Sequence, residues 1–219
     1  MKAPVIEVRD LRVRRGGRDV VGGVSFTVAE GGIYALLGRY GTGKTAVLEV
    51  VSGLRRPDGG TARVRGADPY DARGGLRAAA VWRDGGLFPG LTVAEVVDTW
   101  RRWTLDPLTG EEALRLTGLE GMRDVPFHHL TAVHRRLLDL ALVLVGRSDV
   151  LFLDEPTSGL EDGAARGAVW HVLRRLSGAG VTVLLTTRDP AEACRADHAG
   201  ILNEAEPAGG GATLAPWAA

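Results

Sequence analysis

The stretch "IYALLGRYGTGKTAVLEVVSG", Ile33 to Gly53, restricts the fold of this chain more than any other. Five apolar residues without polar alternation read as a strand covered on both faces. A glycine-rich segment follows, and then a helical pattern. Within it "GRYGTGKT", Gly38 to Thr45, matches G-x-x-x-x-G-K-[ST] in the strand–loop–helix setting that the motif requires. Glycines let successive backbone N–H groups curl around phosphate oxygens, and the new helix offers them its positive end. Gly38, Arg39, Tyr40, Gly41, Thr42, Gly43, Lys44, Thr45 and Ala46 are therefore the expected cradle of a nucleotide triphosphate. Lys44 is placed to reach the β- and γ-phosphates, and the Thr45 hydroxyl to bind Mg²⁺. The competing reading is a glycine-rich turn with an incidental lysine. Composition argues against it: of 27 basic residues, Lys2 and Lys44 are lysine and the rest arginine. A compact ammonium fits inside a ring of backbone amides where a planar guanidinium does not.

A nucleotide site also needs acid. "DVLFLDEP" supplies it, as a buried-strand pattern ending in Asp154 and Glu155. The carboxyl edge of an open α/β sheet is where ligands bind. Asp154 is expected to hold Mg²⁺ and Glu155 to polarise an attacking water. Strand capping alone would also place two acids before a proline, a reading weakened by the phosphate cradle upstream in the same domain.

Strand patterns at 5–13, 24–28, 33–37, 78–82, 149–153 and 181–187 alternate with helical patterns at 43–52, 92–103, 111–116, 131–145, 162–176 and 190–196. This order predicts an α/β domain with a mainly parallel sheet and an antiparallel β segment near the N-terminus. Residues of about 89–130 hold helical patterns and no convincing strand, which predicts a small helical subdomain set into the core. The expected single domain covers 1–205. The segment 206–219, rich in Gly, Ala and Pro, reads as a flexible tail. Charge is balanced, 27 basic against 27 acidic, so no global field draws the chain to nucleic acid or anionic lipid. No apolar run reaches the ~18 residues of a membrane span, the first residues lack an apolar signal region, and the single cysteine, Cys194, suits a reducing cytoplasm. Any membrane role is expected to come through a partner.

"GRYGTGKT" with "VLFLDEPTSGLED" resembles the nucleotide-binding domain of ABC transporters, and the resemblance runs through nearly the whole chain. "LFPGLTVAEVV" looks like the segment after that family's glutamine loop. "LTAVHRRLLDLALVLVGRSDVLFLDEPTSGL" is similar to its signature helix running into the Walker B strand, and "TVLLTTRDPAEA" to its switch-histidine strand. The resemblance implies a P-loop NTPase fold, ATP and Mg²⁺ as ligands, and two such domains pairing head to tail as a homodimer or heterodimer. It also implies a separately encoded permease, export-type transport, no nucleic-acid partner, and a cytoplasmic place at the inner face of the membrane.

The departures from the family pattern are informative. The signature reads Leu130-Thr131-Ala132-Val133-His134: Thr131 keeps a hydroxyl and is an expected N-cap contacting the partner-site nucleotide, while both glycines are gone. Val133 puts a branched side chain where close backbone approach is needed. Arg188 stands where the resemblance places the switch histidine; guanidinium only donates, so it is expected to clamp phosphate and favour binding over turnover. Arg83 aligns with the glutamine of the glutamine loop, Arg15 with the adenine-stacking aromatic, and Tyr40 with a common asparagine. Glu161 with Asp162 replaces a single aspartate. Lys44, Glu155 and Arg188 thus form the catalytic set, with slow hydrolysis expected. The rival expectation is an ATP-gated, largely non-hydrolytic regulatory or structural subunit. His128, His129 and His134 lack the ligand count and spacing of a metal site. Trp100 and Trp103 extend the apolar stripe of Val93, Val96 and Val97, which predicts core packing, with a permease-docking face as the alternative.

Overall fold

The computed structural model describes residues 4–71, 76–203 and 212–216. The chain runs β1 (Pro4–Arg15), β2 (Arg18–Ala29), β3 (Ile33–Leu37), α1 (Lys44–Val51), β4 (Gly59–Val64), β5 (Ala78–Val81), α2 (Val93–Arg102), α3 (Gly110–Thr117), α4 (Ala132–Val145), β6 (Val150–Asp154), α5 (Gly163–Gly178), β7 (Thr182–Thr187), α6 (Pro190–Ala193), β8 (His198–Leu202) and β9 (Leu214–Pro216). Short 3₁₀ turns occupy Glu120–Met122 and Phe127–His129. Two sheets result. One is antiparallel in the order β2-β1-β4; the other is β5-β6-β7-β3-β8-β9, parallel except for β9.

The period of two along each parallel strand explains the absence of polar residues in "IYALL" and "VLFL". Ile33, Ala35 and Leu37 face one core with Leu151, Leu153, Val183 and Leu185. Tyr34 and Leu36 face a second core with Val150, Phe152 and Leu184. Helices α4 and α5 cover the first side. Helix α1 fills the second between the two sheets, through Val47, Leu48, Val50 and Val51. Both faces of the sheet are thus sealed, which leaves its carboxyl edge as the place where polar groups gather.

Helices α2 and α3 pack on α4. A capping box starts α2: the Thr92 hydroxyl accepts from the Glu95 amide, and the Glu95 carboxylate accepts from the Thr92 amide at 2.8 Å. Val93, Val96 and Val97 are core, as the stripe predicts, but the tryptophans are not. Trp100 is half-exposed and Trp103 is 89% exposed. Helix α2 ends at Arg102, so Trp103 is its C-cap and no longer follows the apolar face.

Two further expectations are corrected. Strands β4 and β8 lie where no strand pattern was readable, and β1 and β2 run longer than 5–13 and 24–28. Within the expected flexible tail, Leu214–Pro216 pairs antiparallel with β8 as β9, and Ala212 exchanges backbone hydrogen bonds with Val20 and Gly22. The free edge of β8 supplies the unpaired amides that order this segment. The rest of the tail, 206–211 and 217–219, lies outside the described residues. Among the described residues no helix is long and apolar enough to cross a membrane.

Candidate functional site

Four loops leave the carboxyl edge of the parallel sheet side by side, after β3, β5, β6 and β7. Strand β3 lies between β7 and β8, so the loop after it emerges where the chain order of neighbouring strands reverses. This loop, 38–43, turns tightly. Gly41 and Gly43 hold φ of +83° and +91°, in the left-handed region. A Cβ on Gly43 would lie 2.9 Å from Val21 Cγ2 and 3.0 Å from the Val20 carbonyl, so the loop is also pressed against β2.

Lys44 begins α1 and folds back into the loop. Its Nζ donates to the Gly38 and Arg39 carbonyls, each at 2.8 Å, and only 6% of the residue is exposed. An ammonium has three hydrogens, so one more acceptor is needed to complete its shell. Burial pushes the Lys44 ammonium below its usual pKa, while the carboxylates of Glu155 and Asp154 act in the opposite direction. The Thr42 hydroxyl donates to the Arg39 carbonyl at 3.0 Å and ties the loop across its mouth. Ala46 buries its methyl in the second core, leaving its backbone to the loop side. Tyr40 is 80% exposed, so its ring stands away from the loop.

At the second residue of α1, the Thr45 hydroxyl donates to Asp154 Oδ2 at 3.1 Å. Asp154, the last residue of β6, is fixed from the other side by Thr186, whose hydroxyl donates to Oδ1 at 2.6 Å. The same Thr186 oxygen accepts from the Glu155 amide at 3.0 Å. One buried hydroxyl therefore sets both acids. Glu155 itself takes φ +47°, a left-handed conformation for a non-glycine residue. Such a residue costs of order 1–3 kcal/mol and persists where its surroundings impose it. The oxygen donors of Thr45 and Asp154, side by side, suit a hard divalent cation such as Mg²⁺.

Arg188 follows β7 directly. Its Nε and Nη2 lie 3.0 and 2.9 Å from Glu155 Oε2, and Arg83 Nη1 lies 3.9 Å from the same oxygen. Arg83 comes from the loop after β5, which α4 grips from beneath. Arg136, 8% exposed, donates to the Trp82 carbonyl at 3.2 Å and the Arg83 carbonyl at 2.8 Å. Burial raises the Asp139 carboxyl above its usual pKa, against the opposing pull of the Gly86 amide and Arg136. Arg188 also separates two clefts. One, of about 470 Å³, lies beside Gly38, Arg39 and Thr42; the other, of about 410 Å³, lies beside Glu155 and Ser158.

The structure thus brings Lys44, Thr45, Asp154, Glu155 and Arg188 together. Two other residues stand apart in their contacts. Arg15 ends β1 with its guanidinium bonded to both Glu49 oxygens, at 2.6 and 2.7 Å. Thr131 is the N-cap of α4, as expected, with its hydroxyl engaged by His134. Sequence reasoning passed over Thr186, Thr187, Glu192 and Arg136. The pair "TT" closing an otherwise apolar buried strand was the available signal, since buried hydroxyls demand partners.

The family model described as ABC transporter matches residues 21–158. The chain is 38% identical over 199 residues to the Nod factor export ATP-binding protein I of Ralstonia nicotianae, covering 88% of this chain and 62% of that protein. It is 36% identical to the daunorubicin/doxorubicin resistance ATP-binding protein DrrA of Streptomyces peucetius, over 84% of this chain and 57% of that one. The cytochrome c biogenesis ATP-binding export protein CcmA of Rhodopseudomonas palustris is 34% identical, over 81% of this chain and 89% of its own length. The chain therefore spans about three fifths of the first two relatives and most of the third. Among solved structures, cbiO1 from Clostridium perfringens superposes with a TM-score of 0.81 at 23% identity, over 98% of this chain and 88% of that chain. The ADP conformation of MJ1267 gives 0.78 at 15% identity, over 98% and 90%.

Proposed function

Since the chain belongs to the ABC transporter family as a nucleotide-binding domain with a P-loop NTPase fold, we propose that it binds Mg-ATP in the loop 38–45 and powers export through a separate membrane permease. The observation that carries this reading is the single cluster made by Lys44, Thr45 and Asp154, with the ammonium turned into the loop and the two oxygen donors 3.1 Å apart. In it the cradle amides of 38–46 and Lys44 hold the phosphates, and Thr45 with Asp154 holds Mg²⁺. When bound, the metal neutralises charge on the phosphate oxygens. Glu155 takes the proton of the attacking water, and Lys44 steadies the charge that develops on the γ-phosphoryl group.

Hydrolysis is slow in this proposal. Arg188 occupies Glu155 Oε2 twice, and Arg83 adds a second cation beside it. An Arg188 that leaves Glu155 for the phosphate strengthens the grip on nucleotide without accepting a water proton. A second ATP-binding domain, whether a copy of this chain or a related one, pairs with it, and Thr131 faces the partner-site nucleotide. The exposed Trp103 and Leu105 provide an apolar surface suited to the permease. The relatives' names all describe ATP-binding proteins of export or resistance systems, and the comparisons lend no support to the regulatory or structural alternative.

Equilibrium binding of a fluorescent ATP analogue, with and without Mg²⁺, tests the proposal. Micromolar binding that Mg²⁺ strengthens is the expected result. No saturation at millimolar nucleotide would overturn it.

A further inference from the structure

Glu192 is a carboxylate with 6% exposure, in the short helix α6. It accepts three hydrogen bonds from neutral donors on three different segments. Thr157 Oγ1 donates to Oε1 at 2.9 Å, and Trp170 Nε1 to the same oxygen at 3.2 Å. Thr187 Oγ1 donates to Oε2 at 2.6 Å. Thr157 lies in the loop that follows Glu155, Trp170 in α5, and Thr187 immediately before Arg188. A buried acid met, among the described residues, by neutral donors on these three segments is a fixed point shared by the two loops that carry Glu155 and Arg188.

The Thr187 hydroxyl does two things at once. Its hydrogen goes to Glu192, and its oxygen accepts from the Asp189 amide at 3.0 Å. Asp189 is in turn held by Arg166 at 2.8 Å, and Arg166 Nε donates to the Leu160 carbonyl at 2.7 Å. Both neighbours of Arg188 are therefore anchored, one to each end of the loop 157–160. The backbone is thus held on both sides of Arg188, and from it the side chain extends over Glu155.

We propose that Glu192 is a positioning residue which, through Thr187, holds Arg188 on the Glu155 carboxylate. The inference rests on the reading above, in which Arg188 slows turnover by engaging Glu155.

The chemistry of the three donors makes a sharp variant available. Trp170 Nε1 can only donate, so in Glu192→Gln the amide oxygen must face Trp170 and Thr157. The amide NH₂ then faces Thr187 and donates to its oxygen, so the contact reverses direction, loses its charge, and leaves the Thr187 hydrogen without its acceptor. Glu192→Gln thus preserves shape and packing while weakening the Thr187 side of the anchorage around Arg188. Thr187→Val removes the same contact from the other side and is a second route to the same effect.

The test is a cycle on the full chain: unaltered, Glu192→Gln, Arg188→His and the double variant, with Thr187→Val alongside. ATP turnover, thermal melting and fluorescent-nucleotide affinity are measured for each. The expected result is a rise in turnover of about fivefold for Glu192→Gln, the difference between a hydrogen bond to a charged acceptor and a neutral one, with affinity unchanged. In the Arg188→His background the same substitution changes turnover by less than about twofold, because the two act through one contact. Thr187→Val reproduces the rise. An equal factor in both backgrounds, a fall in turnover, or no change overturns the inference, and a merely structural glutamate would give the first of these. If the unaltered chain binds no nucleotide, the reading of the site as an ATP site fails and the inference falls with it. If all the proteins bind nucleotide but the pattern is absent, only the positioning role of Glu192 fails.

Discussion

Arg188 and Glu155 meet through a single oxygen: Nε and Nη2 of the guanidinium lie 3.0 and 2.9 Å from Oε2. Adjacent parallel strands, β6 and β7, deliver the two residues to this contact from positions 33 apart in sequence. A residue expected to act on water is thereby held by a residue expected to act on phosphate.

Replacing Lys44 tests the cradle. Lys44→Ala removes a buried ammonium that fills the loop and strands the Gly38 and Arg39 carbonyls. Truncating a buried charge contact costs about 2–5 kcal/mol of binding. ATP affinity is expected to fall by about 10²-fold or more in a fluorescent-nucleotide titration. Retained affinity would mean that the phosphates lie elsewhere.

The loop geometry makes its own prediction. Gly43→Ala forces a Cβ to within 2.9 Å of Val21 and 3.0 Å of the Val20 carbonyl, at a φ of +91°. Backbone strain of this kind costs of order 1–3 kcal/mol. Thermal melting should drop, and nucleotide affinity should drop with it, because the loop and β2 cannot both keep their places. Gly41→Ala meets no atom within 4 Å and bears only the conformational cost, so it should be the milder variant.

Glu155→Gln separates gripping from cutting. The amide keeps the size of the carboxylate but loses the proton-accepting role, so turnover should fall by about 10²-fold or more. Nucleotide affinity should hold or improve, since Arg188 is no longer neutralised. Unchanged turnover would remove Glu155 from the chemistry.

Asp197 contributes to stability against acid. Burial alone would raise its carboxyl pKa. The guanidinium of Arg174 at 2.6 Å and the Ile33 amide at 2.7 Å outweigh that and hold it below the ordinary 3.8. A depressed folded-state pKa gives stability that is present above 3.8 and lost as pH falls through the lower folded value. Because the side chain is 39% exposed, about 1 kcal/mol is expected from these bonds. Urea melts should show Asp197→Asn less stable at pH 7, with the difference shrinking as pH drops below about 4. A constant difference across that range would contradict the assignment.

The sequence made the middle of the parallel sheet readable because burial on both faces writes "IYALL", "VLFL" and "TVLL" as unbroken apolar runs. It hid β4 and β8, whose residues answer to neighbours and not to a period. Gly200 in β8 is small because a Cβ there would lie 2.6 Å from the Tyr34 hydroxyl and 2.8 Å from Leu214. The order of β9 likewise comes from β8, since "TLAP" carries no strand signal of its own. At the site, the motif spacing pointed to Lys44, Thr45, Asp154 and Glu155 directly. Arg188 and Arg83 stood out as departures from the family pattern, but not as two cations on one carboxylate. That required knowing which strand edges are adjacent. Glu192 was invisible for the same reason: "PAEA" reads as a short helix, and three long-range donors give its carboxylate meaning.

In the proposed function this domain holds ATP firmly while Arg188 keeps Glu155 from cutting it. The most direct measurement is ATP turnover of Arg188→His beside the unaltered chain, with Mg-ATP affinity measured on the same samples. Turnover is expected to rise by about tenfold or more, the scale on which an electrostatic group acts at a reacting centre, while affinity stays within about threefold. Turnover unchanged or reduced in Arg188→His, with nucleotide still bound, would contradict it.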